Sequence, residues 1–357
     1  MTSTTLADFY RGKRILLTGH TGFKGSWLGL WLTGMGAEVH GLALDPETEP
    51  NSHALLRVPY ASDLRQDLRD ADGVARLVAA INPELVFHLA AQPLVRRAYR
   101  DPLESFGTNV MGTANLLQAL RNCPALKAVL GVTSDKAYDN DAYDAPKDLV
   151  FAETDRLGGR DPYSASKGAQ EIVIRSFAES YFAKVGVRVA TARAGNVIGG
   201  GDWAEDRLMT DAMAALLASK PIPVRNPLMT RPWQHVLEPL SGYLLLLHAL
   251  AEGRFAGDAM NFGPDESYSV QIVADRLCSL WGGGASWAHN GDEGPKEAKT
   301  LALTSALAKA ALGWTPRLDL NDTLGLVADW YKAWASGADM GAFSARQIAG
   351  YAARMDA

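Results

Sequence analysis

The apolar run Ile15-Leu16-Leu17 leads directly into Gly19-His20-Thr21-Gly22-Phe23-Lys24-Gly25, and a helix-compatible segment with Trp27, Leu28 and Leu30 follows. No other feature restricts the fold as much. Glycines at G-x-x-G-x-x-G spacing permit a tight strand-to-helix turn and let a pyrophosphate approach the backbone at the helix N-terminus. The spacing alone is weakly specific, and its place after a first strand is what gives it weight.

The downstream pattern agrees. Apolar runs predict strands at residues 14–18, 38–43, 84–90, 127–133 and 188–194, and amphipathic stretches predict helices near 25–35, 71–81, 103–120 and 163–185. Strands separated by helix-length segments require parallel βαβ crossovers. After residue 196 the pattern loosens. Gly199-Gly200-Gly201-Asp202 signals a loop, Pro221, Pro223, Pro227 and Pro232 punctuate the next stretch, and a last long helix is expected near 320–335. The expected architecture is α/β: a Rossmann-type doubly wound parallel sheet over 1–195, with a smaller mixed α/β substrate domain over 196–357. The boundary is soft because segments can exchange.

An acidic residue about 20 positions beyond the last glycine holds an adenosine ribose in such folds. Asp45 has that offset, and it also reads as a turn Asp before Pro46. With no basic cluster just after the second strand, it points to NAD over NADP.

Tyr-x-x-x-Lys occurs twice, as Tyr143/Lys147 and Tyr163/Lys167. The chemistry needs a phenol with its pKa lowered by a nearby ammonium, so that the phenolate takes a hydroxyl proton. On a helix, residues i and i+4 share a face. Tyr163 follows the helix-start signal Asp161-Pro162, whereas Pro146 interrupts the first pair. Tyr163 and Lys167 are therefore the candidates. Thr133-Ser134-Asp135-Lys136 closes the fifth strand, where open α/β sheets place ligands, although such clusters also serve as caps and turns.

These residues resemble the extended short-chain dehydrogenase/reductase family. The likeness continues in order through Asp67-Leu68, His88-Leu89-Ala90-Ala91-Gln92, Asn109-Val110-Met111-Gly112-Thr113 and Arg193-Ala194-Gly195-Asn196-Val197-Ile198-Gly199. Within it, Gly199-Gly200-Gly201-Asp202-Trp203 and Arg231-Pro232-Trp233-Gln234-His235 look like nucleotide-sugar 4,6-dehydratases. The resemblance implies NAD, a CDP-glucose substrate and a homodimer. It places Gly19, Thr21, Gly22, Phe23, Lys24, Gly25, Asp45, Asp67, Leu68, Leu89, Ala90, Ala91 and Asn109 on the cofactor, with Tyr163 and Lys167. It places Ser134, Tyr163 and Lys167 at sugar oxidation and adds Asp135 and Lys136 for dehydration. Asn196 and Arg231 fall on the substrate diphosphate, Gln92 on the sugar and Arg207 at the nucleotide end. Sister dehydratases carry Asp-Glu where Asp135-Lys136 stands, so Lys136 is either the C5 base or an electrostatic helper. Lys24 replaces an apolar residue, and its charge either meets a cofactor phosphate or is solvated. A C4 epimerase or another nucleotide-sugar dehydratase shares much of this set. A non-enzymatic NAD-binding regulator is the remote alternative, since such proteins usually lose the Tyr or Lys.

Composition narrows the class further. The 357 residues suit about two packed units. Lys plus Arg number 35 against 40 Asp plus Glu, a net charge of -5, which disfavours nucleic-acid or anionic-membrane binding. Two cysteines, Cys123 and Cys278, preclude a disulfide framework or a multi-cysteine metal site, and no metal is expected. The start is polar, and the most apolar run, near 243–250, is too short to span a bilayer. A soluble cytoplasmic protein is the expectation. Apolar residues on several helix faces, including Val110, Leu116, Leu117, Ile172, Val173 and Phe177, call for a second burial partner and so a homodimer.

Overall fold

The computed structural model describes residues 2–139, 150–291 and 302–357. Seven strands form one parallel sheet: β1 (Arg14–Thr18), β2 (Glu38–Ala43), β3 (Ser62–Arg65), β4 (Leu85–His88), β5 (Ala128–Val132), β6 (Arg188–Ala194) and β7 (Ala259–Phe262). Their order is β7-β6-β5-β4-β1-β2-β3, so the direction of winding reverses between β1 and β4. A crevice opens at the C-terminal ends of the strands at such a reversal. The glycine turn and the segments after β4 and β5 all end there.

The helices that matter are α1 (Ser3–Tyr10), α2 (Phe23–Gly34), α3 (Ala71–Ile81), α4 (Thr113–Leu120), α5 (Pro162–Phe177), α6 (Leu237–Ala251), α7 (Leu320–Ala335) and α8 (Met340–Asp356). One face of the sheet is covered by α3, α4 and α5 through Leu16, Val74, Val86, Leu116, Leu117, Val129 and Ile174. The opposite face packs on α2 and α6, and α6 is buried from Leu237 to Leu250. That burial explains its apolar run: it is a core helix. Among the described residues no helix is long and apolar enough to cross a membrane.

Several expectations change. The polar strand β3, with side chains alternating in exposure, gives no apolar run and escapes the sequence. The edge strand β7 lies 65 residues beyond β6 yet pairs with it, Ala259 opposite Thr191. Helix α7 is not the last: α8 follows and packs on α2. The stretches expected as single helices each contain a π turn, at Gly107–Gly112 and at Ala178–Phe182. Leu116 and Leu117 need no second partner, because both are filled by the core of this chain. The apolar surface left open on these helices is instead Leu103, Phe106, Met111 and Ile172.

Candidate active site

The turn after β1 is held by close backbone approach. A Cβ on Gly25 would lie 2.0 Å from the Gly19 carbonyl oxygen, and one on Gly19 would lie 2.6 Å from Ala90 N. Gly19 also sits at φ +75°, a left-handed conformation suited to glycine. Gly22 caps α2 without any side-chain bond, and the first turn holds no acidic residue. The amides and the dipole of that turn are therefore open to an anion, which is how a dinucleotide pyrophosphate is bound. Thr21 Oγ1 donates to Leu44 O at 2.9 Å, tying the turn to the end of β2, where the Asp45 carboxylate stands exposed. Asp67 is bonded by Arg69, and buried Leu68 packs against Gly112. Phe23 wedges beneath Gly199, which has no room for a Cβ beside that ring. Together these features fit NAD along the crevice.

At the end of β5, Ser134 Oγ accepts the Lys136 amide at 3.2 Å and donates to Asp135 Oδ1 at 2.9 Å. Asp135 is buried with Oδ2 unpartnered. Burial raises its pKa, with the charges of Lys136 and Arg231 opposing. This is a carboxyl predisposed to carry a proton. Lys136 is half-buried beside it.

Tyr163 and Lys167 occupy the first turns of α5, whose N-terminus Asp161 caps by accepting the Ser164 amide at 3.0 Å. Both are buried. The Ser134 side chain is in hydrogen-bonding reach of the Tyr163 hydroxyl. The expected depression of the Tyr163 pKa does not appear: burial pushes it up to about 12, while Ser134 and Arg207 oppose. Lys167 is itself pushed down to about 7 by burial and by the Lys24 ammonium. Its Nζ donates to Gln170 Oε1 at 2.9 Å, and Gln170 Nε2 donates to Thr113 Oγ1 at 3.0 Å. Thr113 spends its own proton on Asn109 O at 2.7 Å. His88 Nε2, 2.8 Å from Thr113 Oγ1, is then the donor, and its Nδ1 accepts from Thr18 Oγ1 at 2.7 Å. His88 is a satisfied core histidine, and sequence gave no signal for Gln170.

Behind Ser134, Glu171 and Arg193 form a buried ion pair at 2.8 Å. Thr133 and Thr191 also donate to Glu171, and Arg193 reaches the Tyr138 hydroxyl. This network fixes the end of β5 to α5, which sets Ser134 against Tyr163.

Lys24 is half-buried. Its ammonium is lowered to about 8 by burial and by Arg207, with Asp135 and Asp202 opposing. Three of the expected ligand contacts also make bonds within the chain. Gln92 spends its amide internally: Nε2 donates to Ser105 Oγ at 2.7 Å and Oε1 accepts the Leu94 amide at 2.6 Å. Asn109 likewise bonds Gln92 and Ser166, bracing the loop after β4 against α5. Arg207, expected at the nucleotide end, is paired with Asp202 at 2.7 Å, and its charge acts on Tyr163 and Lys24. Leu89, Ala90 and Ala91 line the crevice at the end of β4, half-buried. Arg231 is buried with its charge acting on Asp135, and half-buried Asn196 bonds Gln234 through its carbonyl. Tyr143 and Lys147 lie outside the described residues.

A seven-stranded Rossmann sheet with a Ser, a Tyr and a Lys at the ends of β5 and α5 defines an extended short-chain dehydrogenase/reductase. Residues 16–326 match the model of the GDP-mannose 4,6-dehydratase family, and the chain belongs to that family. It is 45% identical to a CDP-glucose 4,6-dehydratase of Salmonella typhimurium over 96% of this chain and 97% of that one. It is 27% identical to a dTDP-glucose 4,6-dehydratase of Xanthomonas campestris, covering 93% and 98%. Among solved structures, a UDP-glucose 4-epimerase of Thermotoga maritima shares the fold with a TM-score of 0.78 at 22% identity, covering 90% and 99%.

Proposed function

We propose that this protein is a CDP-glucose 4,6-dehydratase that uses NAD and yields CDP-4-keto-6-deoxyglucose. The observation that carries the reading is the identity of 45% spread over nearly the whole of both chains. The chemistry at the end of β5 agrees with it, because an epimerase needs no acid for a departing hydroxyl and Asp135 is a carboxyl biased toward its protonated form.

Bound NAD supplies a hydride acceptor at sugar C4 and a donor at C6. The protein's own residues do the rest. Tyr163, as phenolate, takes the C4 hydroxyl proton while Ser134 holds that oxygen. Ser134 and the cationic Arg207 favour the phenolate against the burial that opposes it, and Lys167 lies one helical turn further along α5. The C4 ketone acidifies C5–H, which Lys136 removes. Asp135 protonates the departing C6 hydroxyl. Asn196 and Arg231 hold the substrate diphosphate, and the open first turn of α2, with Asp45 and Asp67, holds the dinucleotide.

Residues 1–195 serve mainly the dinucleotide and 196–357 mainly the sugar nucleotide. The protein acts as a cytoplasmic homodimer, a reading supported by the open apolar face of Leu103, Phe106, Met111 and Ile172 and by two cysteines that are both free thiols. The test of function is incubation with CDP-, dTDP-, UDP- and GDP-glucose. A 4-keto-6-deoxy product from CDP-glucose alone is expected, and the absence of that product from CDP-glucose overturns the reading.

A further inference from the structure

Arg65 ends β3 and turns toward the end of β2, where its Nε donates to Asp45 Oδ1 at 2.8 Å. The same guanidinium bonds Asp63 and lies 3.2 Å from both His20 Nε2 and His53 Nε2. The imidazoles in turn contact the Asp63 carboxylate at 2.6 and 3.1 Å. Five polar side chains from four separate segments thus converge beside the glycine turn. Sequence shows no basic cluster after the second strand. The fold brings Arg65 there, with His20 and His53 beside it.

His20, His53 and Asp63 have the ligand types and spacing of a cation site, with their ligand atoms within 4.8 Å of one another. Arg65 stands among those atoms and already neutralises Asp63, so the cluster disfavours a metal ion. Its outward face has the opposite preference. The Asp45 side chain is 84% exposed and that of Arg65 33%, so the pair is open to solvent.

We propose that Arg65 is a latent binding group for the 2′-phosphate of a dinucleotide, and that Asp45 withholds it. The inference rests on the reading that Asp45 faces the adenosine ribose. Asp45, Asp63 and Arg65 sum to one negative charge, and a phosphomonoester of about −2 is repelled. Asp45 also occupies the Nε that a phosphate would use. Replacing it by a neutral side chain brings the sum to zero and frees one edge of the guanidinium, whose fork matches a phosphate. NAD selectivity here is then the work of one carboxylate masking a cation.

The test is calorimetric titration of wild type, Asp45→Ser and Asp45→Ser/Arg65→Met. The ligands are NAD, NADP, AMP and adenosine 2′,5′-bisphosphate, the last pair isolating the 2′-phosphate. Asp45→Ser is expected to move the NADP-to-NAD affinity ratio about tenfold toward NADP and to tighten the bisphosphate relative to AMP. Adding Arg65→Met should abolish both gains. A gain of equal size in the double variant shows that relief of repulsion suffices and overturns the role of Arg65, as does an unchanged ratio in Asp45→Ser. Retained AMP binding shows that the double variant is folded. Should Met at 65 unfold the chain, Arg65→Gln serves as the second variant with the same two outcomes. Wild type binding neither dinucleotide overturns the cofactor reading instead.

Discussion

Lys167 Nζ donates to Gln170 Oε1 at 2.9 Å, three residues further along the same helix. Gln170 is itself anchored by Thr113, and through it to His88 and Thr18, so the Lys167 ammonium is aimed by a chain of buried neutral groups. A neutral partner leaves Lys167 exposed to the repulsion of Lys24 and to burial, with only Glu171 opposing. Gln170→Glu puts an opposite charge in contact with the ammonium and near the phenol. Both pKa values should rise, and the acid limb of the rate profile should move up by about one unit. An unmoved limb at wild-type stability would remove Gln170 from this role.

The dehydration pair should separate from the oxidation pair. Tyr163→Phe removes the proton acceptor and should abolish both turnover and reduced-nicotinamide absorbance. Asp135→Asn should lower turnover by about 10²–10⁴. In Lys136→Ala the reduced-nicotinamide absorbance should appear on substrate addition and persist, because elimination stalls. Wild type should place solvent deuterium at product C5. Near wild-type turnover in Lys136→Ala would eliminate this lysine as the C5 base.

Gly25→Ala tests the turn. Its methyl would lie 2.0 Å from a backbone oxygen, so the turn must open. We expect a stability loss of about 1–3 kcal/mol by urea denaturation and a larger proportional loss of NAD binding than of thermal stability.

Glu238 joins α6 to α8 and to the segment before α7. It accepts from the Tyr351 hydroxyl at 2.6 Å and from the Arg317 and Leu318 amides at 2.8 and 2.7 Å. Glu238→Ala should cost about 3 kcal/mol in urea denaturation, since one buried and two part-buried donors lose their acceptor. Burial raises the Glu238 pKa to about 7, so the folded state binds this proton more tightly than the unfolded chain does. The associated stability is present below the ordinary glutamate range and is lost as pH rises through about 7. Glu238→Gln should therefore flatten the pH dependence of stability between about 4.5 and 7.

The open helical face predicts the assembly. Leu103 is 81% and Met111 57% exposed, apolar surface that a second copy of the chain would cover. Light scattering of wild type should give twice the 38.3 kDa chain mass, and Leu103→Asp with Ile172→Arg should halve it. A wild-type mass of one chain at micromolar concentration would refute the dimer.

Local sequence settled the strands β1, β2, β4, β5 and β6, the glycine turn and the helical start at Asp161-Pro162, because glycine spacing, apolar runs and caps act over a few residues. It also names Ser134, Asp135 and Tyr163 as candidates, from residue type and strand-end position. Tertiary structure decided the rest. The strand β7 joins the sheet by pairing with β6 far back in the chain, and β3 is held by its neighbour more than by its own apolar content. The Tyr163 phenol is raised, not lowered, because desolvation depends on everything packed around it. Gln92 and Asn109 are spent on internal bonds whose partners no motif names. Arg65 meets Asp45 only because parallel strands bring their C-terminal ends together. Electrostatics and burial sum over space, and sequence records distance along the chain alone.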